Sequence, residues 1–163
     1  MMDAMKLNAF EAFHKDWALL TAGSMDRHNT MTIGWGGLGC LWGKQVATVY
    51  VRPNRYTYEF MEHEDYFTVS FYGEQCRDAL KLLGRKSGRD GDKIAEAGLH
   101  AEAMGRSVTF AEARLSLLCR KLYHQDLDAS AIDPESLSAY YAPDNPIHRM
   151  YIGEVVEVRC REA

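Results

Sequence analysis

Residues 46–60 read VATVYVRPNRYTYEF. The first six are β-branched, small or aromatic, the composition of a strand that runs to Arg52, and Pro53 and Asn54 then end it, because proline has no N–H for the ladder and holds φ near −65°. From Tyr56 to about residue 63 the pattern turns helical. The stretch therefore predicts strand, corner and helix in direct succession, and it gathers Arg52, Arg55, Tyr56 and Thr57 at the corner.

Working outward, residues 17–23 and 30–36 are further strand candidates, joined by the polar turn set 24–29 into a hairpin. Ahead of them Asn8 and Glu11 form a capping arrangement for a short helix bearing Phe10, Phe13, His14 and Trp17, placed to lid the fold. Residues 66–72 (YFTVSFY) alternate as a strand. Residues 75–84 carry apolar side chains at helical spacing, with Gly84 expected just beyond the helix end. A charged, glycine-bearing loop, residues 85–92 (RKSGRDGD), and a helical piece over 93–97 follow. Residues 113–123 and 150–161 add two strands, and Asp133 with Pro134 opens a brief helix between them. About six strands with no long helices between them argue for a mainly β fold. The expected form is an antiparallel barrel with a few short peripheral helices, one domain over residues 1–163.

Composition bounds the function. The chain has 163 residues, 47% hydrophobic and 26% charged, which suits a packed single core. A net charge of −4 gives no general field for phosphates, so nucleic acid is not an expected partner and any anion site must be local. No apolar run is long enough to cross a bilayer, and Met1, Met2, Asp3, Ala4, Met5 and Lys6 do not make a signal peptide, so no membrane association and a cytoplasmic location are expected. Cys40, Cys76, Cys119 and Cys160 form no C-x-x-C pair. They are expected to be reduced and mostly buried, with Cys40 in its glycine-rich stretch the exception to watch. His14, His28, His63, His100, His124 and His148 lack metal-ligand spacing, so no metal site is expected, and no G-x-S-x-G nucleophile elbow occurs.

Gly34, Gly36 and Gly39 spell G-x-G-x-x-G within GWGGLG after a predicted strand, the opening half of a dinucleotide fingerprint. The residues from Cys40 to Gln45 do not continue as a helix, so no helix N-terminus faces a pyrophosphate and a Rossmann fold is set aside. These glycines instead suit a bulge or a close backbone passage.

Three segments carry candidate chemistry. Asn29, Thr30, Met31 and Thr32 alternate polar and apolar groups at a strand mouth. Arg52, Arg55, Tyr56 and Thr57 bring two guanidinium forks and two hydroxyls to a corner, a donor set suited to a phosphate monoester. Ser87, Gly88 and Lys93 belong to the glycine-bearing loop and add further donors. Each segment alone is compatible with an ordinary polar loop.

Together, the blocks NTMTIGWGGLGCLWG, VATVYVRPNRYTYEF, DYFTVSFYG, SGRDGDK and HRMYIGEVVEV, in that order, resemble the flavin-reductase-like, flavoredoxin-related family. The resemblance implies a Greek-key-like FMN-binding split β-barrel and a homodimer with FMN at its interface. It places the phosphate on Arg52, Arg55, Tyr56 and Thr57, and the ring and ribityl chain along Asn29, Thr30, Met31 and Thr32. Ser87, Gly88 and Lys93 fall near the phosphate or ribityl end, while Trp42 and His148 are placed facing the ring or a nicotinamide. Asn145, Pro146 and Ile147 stand where reductases of this type often carry Gly-Asp-His, a departure that bears on nicotinamide use. The implied function is an FMN-dependent oxidoreductase moving electrons from NAD(P)H to flavin, or onward to an iron or protein acceptor. The alternatives are a flavoredoxin-like electron-transfer module without efficient NAD(P)H turnover, and a scaffold barrel with an empty pocket. The flavin supplies the redox chemistry, so no side-chain acid is assigned.

Overall fold

The structure, a computed structural model, describes residues 6–141 and 143–161; residues 1–5, on which the reading of the N-terminus rests, lie outside the described residues. Helix α1 (Ala9–His14) starts on Asn8, whose side-chain oxygen accepts from the N–H groups of Phe10 and Glu11. It lays Phe13 into the core edge-on to Phe71, centroids 5.4 Å apart. Phe10, expected on the same face, points outward and is 89% exposed. Trp17 belongs to neither helix nor strand: its φ of 65° turns the chain, and its ring lies under the Arg77 guanidinium.

The strands are β1 (Ala18–Gly23), β2 (His28–Ile33), β3 (Gly36–Leu41), β4 (Lys44–Val51), β5 (Tyr66–Phe71), β6 (Ala101–Met104), β7 (Ser107–Phe110), β8 (Leu115–Asp126) and β9 (Arg149–Cys160). Between them lie α2 (Tyr56–His63), α3 (Arg77–Arg85), α4 (Lys93–Glu96) and α5 (Pro134–Tyr140), the last capped by Asp133. Seven strands form one antiparallel sheet in the order β2-β1-β5-β8-β9-β4-β3, and β6 and β7 make a separate hairpin. Side chains from β1, β2, β4, β5, β8 and β9 enter a single core, so the sheet is rolled around it. The roll stays open: β2 and β3 are the two ends of the ladder, with no hydrogen bonds joining them.

A second core explains why β1 is buried on both faces. Ala18, Leu20 and Ala22 face the barrel interior, whereas Leu19 packs outward against Leu80 and Leu83 of α3 and Phe110 of β7. Alternation by two sends successive residues to opposite sides, and here both sides are covered. On β5 the outward Thr68 donates to Val108 O at 2.6 Å, and Ser70 lies 3.0 Å from Thr109 Oγ1.

Several sequence expectations change. β3 runs through the glycine stretch and pairs with β4 along its whole length, from Gly36 opposite Val49 to Leu41 opposite Lys44. A close backbone passage occurs at Gly36, where a Cβ would sit 2.6 Å from the Phe13 ring. Gly84 lies inside α3, not beyond it; a Cβ there would come within 3.1 Å of Thr32 Cβ, so its role is to let α3 approach β2. Cys76 and Cys119 are buried, but Cys40 and Cys160 are exposed, so burial holds for two of the four cysteines and not for most.

Candidate functional site

The corner after β4 builds the site. The Arg55 N–H donates to Arg52 O at 3.0 Å, closing the turn, and α2 then begins at Tyr56. Thr57, in the first turn, is fully buried, and its Oγ1 accepts from Asn29 Nδ2 at 2.8 Å. This ties the head of α2 to β2 and fixes the Asn29 amide. The Arg55 guanidinium reaches the other way, donating to Gly84 O at 3.2 Å near the end of α3. Lys93, only 3% exposed, donates to Leu83 O and Lys86 O, both at 3.0 Å, and so pins the loop carrying Ser87 and Gly88 to the same helix end. Gly88 packs so tightly that a Cβ would lie 2.2 Å from Asn29 Oδ1 and 2.9 Å from the Tyr56 ring.

Two cavities, each of about 190 Å³, result. The first is lined by Asn29, Met31, Arg55, Tyr56, Thr57, Ser87, Gly88 and Lys93, together with Asn54, Arg85 and Lys86. The second adjoins it through Met31 and Arg55 and is lined by Thr32, Ile33, Gly34, Trp35, Tyr50, Arg52 and His148. Neither lining contains an acidic side chain among the described residues. Arg55 and Lys93 thus stand close together with only carbonyl partners. Burial and the neighbouring Arg52 hold Arg55 below its ordinary value. Burial and Arg55 bring Lys93 down to about 8, and burial and Arg52 bring His148 down to about 4. His148 is therefore neutral at pH 7, with Nδ1 2.6 Å from Tyr141 Oη and its ring beside Trp35 at 5.2 Å. Buried like charges with no counter-ion raise the free energy of the fold, and an anion in the first cavity relieves that cost.

The whole described barrel matches a known sequence family, the flavin reductase like domain, over residues 10–163. The chain belongs to that family. Among curated proteins no sequence matches it. Solved structures share the fold at low identity. A flavoredoxin from Methanosarcina acetivorans is 19% identical, covering 90% of this chain and 69% of its own, with a TM-score of 0.72. A flavoredoxin of Desulfovibrio vulgaris (Miyazaki F) is 20% identical over 97% of this chain and 75% of its own, TM-score 0.71. Nitrilotriacetate monooxygenase component B from Bacillus cereus is 17% identical over 90% and 69%, TM-score 0.69. The architecture is the split barrel of these flavin-reductase-like proteins.

Within this flavin reductase like domain, most expected site residues converge, and three do not join them as expected. Arg52 reaches the second cavity, but its guanidinium donates to Pro146 O at 3.1 Å and Tyr140 O at 3.0 Å and lies over the Tyr141 ring, so it anchors the chain before β9. The Thr30 side chain is fully buried, bonded to Thr21 Oγ1 at 2.8 Å and Leu20 O at 3.1 Å, and lines neither cavity. Trp42, 64% exposed, sits in the β3–β4 turn at φ 53° beside Tyr123, away from both cavities. Conversely, sequence reasoning passed over Trp35, Tyr141 and Arg85. Trp35 follows directly on β2 and Gly34, a position from which a ring overhangs the strand end, and that adjacency is the signal that points to it.

Proposed function

We propose that the chain binds FMN with its phosphate in the first cavity and its ring along Met31, Thr32 and Gly34, facing His148 and Trp35. The observation that carries this reading is the convergence of Arg55, Arg85, Lys86 and Lys93 on one cavity whose lining has no acidic side chain, in a protein of net charge −4. Asn29, Thr57, Ser87 and Gly88 add neutral donors and a tight approach for backbone, a fit to a phosphate monoester at the end of a polyol. β2 is an edge strand, so alternate backbone N–H groups along it are not used by the ladder and suit the polar rim of a flavin. When bound, FMN supplies hydride and electron transfer; the protein's part is to hold it, shape its surroundings and keep a neutral imidazole beside it.

The function proposed is that of an FMN-dependent oxidoreductase taking electrons from reduced nicotinamide and passing them to free flavin or to an iron or protein acceptor in the cytoplasm. A homodimer belongs to this reading, since β3 leaves an unpaired edge and Trp42 exposed, and a second copy covering that edge gives Trp42 a route to the partner's ring. The second reading, an FMN electron carrier without NAD(P)H turnover, is favoured by the Asn145-Pro146-Ile147 sequence before His148, with Pro146 O engaged by Arg52. An absorbance spectrum followed by anaerobic NADH separates the readings. A flavin spectrum bleached by NADH supports the reductase, a flavin that stays oxidised supports the carrier, and no flavin even after FMN is supplied refutes both.

A further inference from the structure

A cavity of about 520 Å³ lies beyond the phosphate pocket. Four residues, Asn29, Tyr56, Gly88 and Lys93, line both, so the two spaces share a wall. FMN with its phosphate in the smaller pocket leaves the larger one empty. That space is within the range of small-molecule sites, and its walls are mixed in a particular way. Phe60, Ile94 and Leu99 give an apolar floor. Arg27 lies over the Phe60 ring with its guanidinium carbon 4.7 Å from the centroid, and none of the ion pairs among the described residues involves it. Asp26 and Asp92 stand at the lining as acceptors. At the shared wall, Lys93 uses two of its three N–H donors on Leu83 O and Lys86 O, which leaves one.

A flat apolar floor, an unneutralised guanidinium able to stack, carboxylates for ribose hydroxyls and a cation at the junction form a site for a nucleoside joined through a second phosphate. We propose that this cavity is the adenylate subsite of a flavin dinucleotide, and that the protein binds FAD in preference to FMN. The inference rests on the flavin reading above and extends it to the identity of the cofactor. The diphosphate lies along the shared wall by Lys93 and Asn29, and the adenine stacks against Arg27 above Phe60.

Isothermal titration of the flavin-free protein with FMN, FAD and AMP tests this. FAD is expected to bind about tenfold or more tighter than FMN, and AMP to compete with FAD. Arg27→Ala removes the stacking cation and Ala95→Trp fills the cavity from α4; each is expected to cut the FAD preference several-fold while leaving FMN affinity unchanged. FAD binding no tighter than FMN, or a preference indifferent to both variants, overturns the subsite while FMN binding still supports the phosphate pocket. Failure of both flavins to bind removes the two readings together.

Discussion

Arg52 and Arg55 stand three residues apart in one turn, and the structure gives them different work. Arg55 has a single carbonyl partner and opens onto both small cavities, whereas Arg52 donates to two carbonyls, lies over a ring and lines the second cavity alone. A charge-assisted hydrogen bond is worth about 1.5–3 kcal/mol, so Arg55→Ala is expected to weaken FMN binding about tenfold to a hundredfold in a titration, and the protein should purify largely colourless. Arg52→Ala should cost less affinity and instead loosen the chain between β8 and β9, seen as faster proteolytic nicking between residues 127 and 148. Equal affinity losses for both variants would contradict this division. Lys93 brings a pH dependence. Its value of about 8 in the flavin-free protein rises when a phosphate dianion sits beside it, so the bound state takes up a proton above pH 8. FMN affinity should hold steady just below pH 8 and fall as pH climbs past it, and Lys93→Met should flatten that fall while lowering affinity throughout.

At the scale of elements, Gly36 shows what the barrel demands of its edge. Phe13 of α1 lies across β3 where a Cβ would be 2.6 Å from its ring, with backbone fixed on one side and a packed aromatic on the other. Gly36→Val should therefore displace α1 and cost about 1–3 kcal/mol, read as a shift in urea midpoint, while Gly37→Val, with nothing within 4 Å, should be nearly neutral. The same element explains what the sequence hid. Strand, corner and helix over residues 46–60 were legible because β-branching, proline and helical periodicity agree locally. β3 was not, since GGLGCL has weak intrinsic strand preference and owes its form to the partner β4. β6 and β7 are four residues each, too short for periodicity to show. Gly84 looked like a helix stop because a glycine near the end of an apolar pattern usually is one; the close approach of α3 to β2 that requires it is a tertiary fact. The site divides likewise. Residues adjacent in sequence at the corner could be grouped, but the burial of Thr30 and the distance of Trp42 depend on which side of a strand or turn a side chain leaves.

At the scale of the whole molecule, a chain of net charge −4 keeps Arg55, Arg85, Lys86 and Lys93 around one cavity, with Arg52 and His148 next to it. Lys86 has Glu96 to offset it, but Arg55 and Lys93 have only carbonyls. Their mutual repulsion is part of the folded state and absent from the unfolded chain, where the groups are far apart and hydrated. A phosphate held between them removes the repulsion and adds its own attraction, so the flavin should act as a folding ligand. At a hundredfold excess over its dissociation constant a ligand adds about 2.7 kcal/mol, and a domain of this size gains about 2–4 °C in Tm per kcal/mol. FMN is therefore expected to raise Tm by about 5–11 °C under those conditions. Riboflavin, which has the same ring and polyol without the phosphate, should raise it far less at the same concentration, and the gap should narrow in high salt as the cations are screened. If riboflavin stabilises the protein as well as FMN does, binding is driven by the ring, and the converging cations serve some other anion.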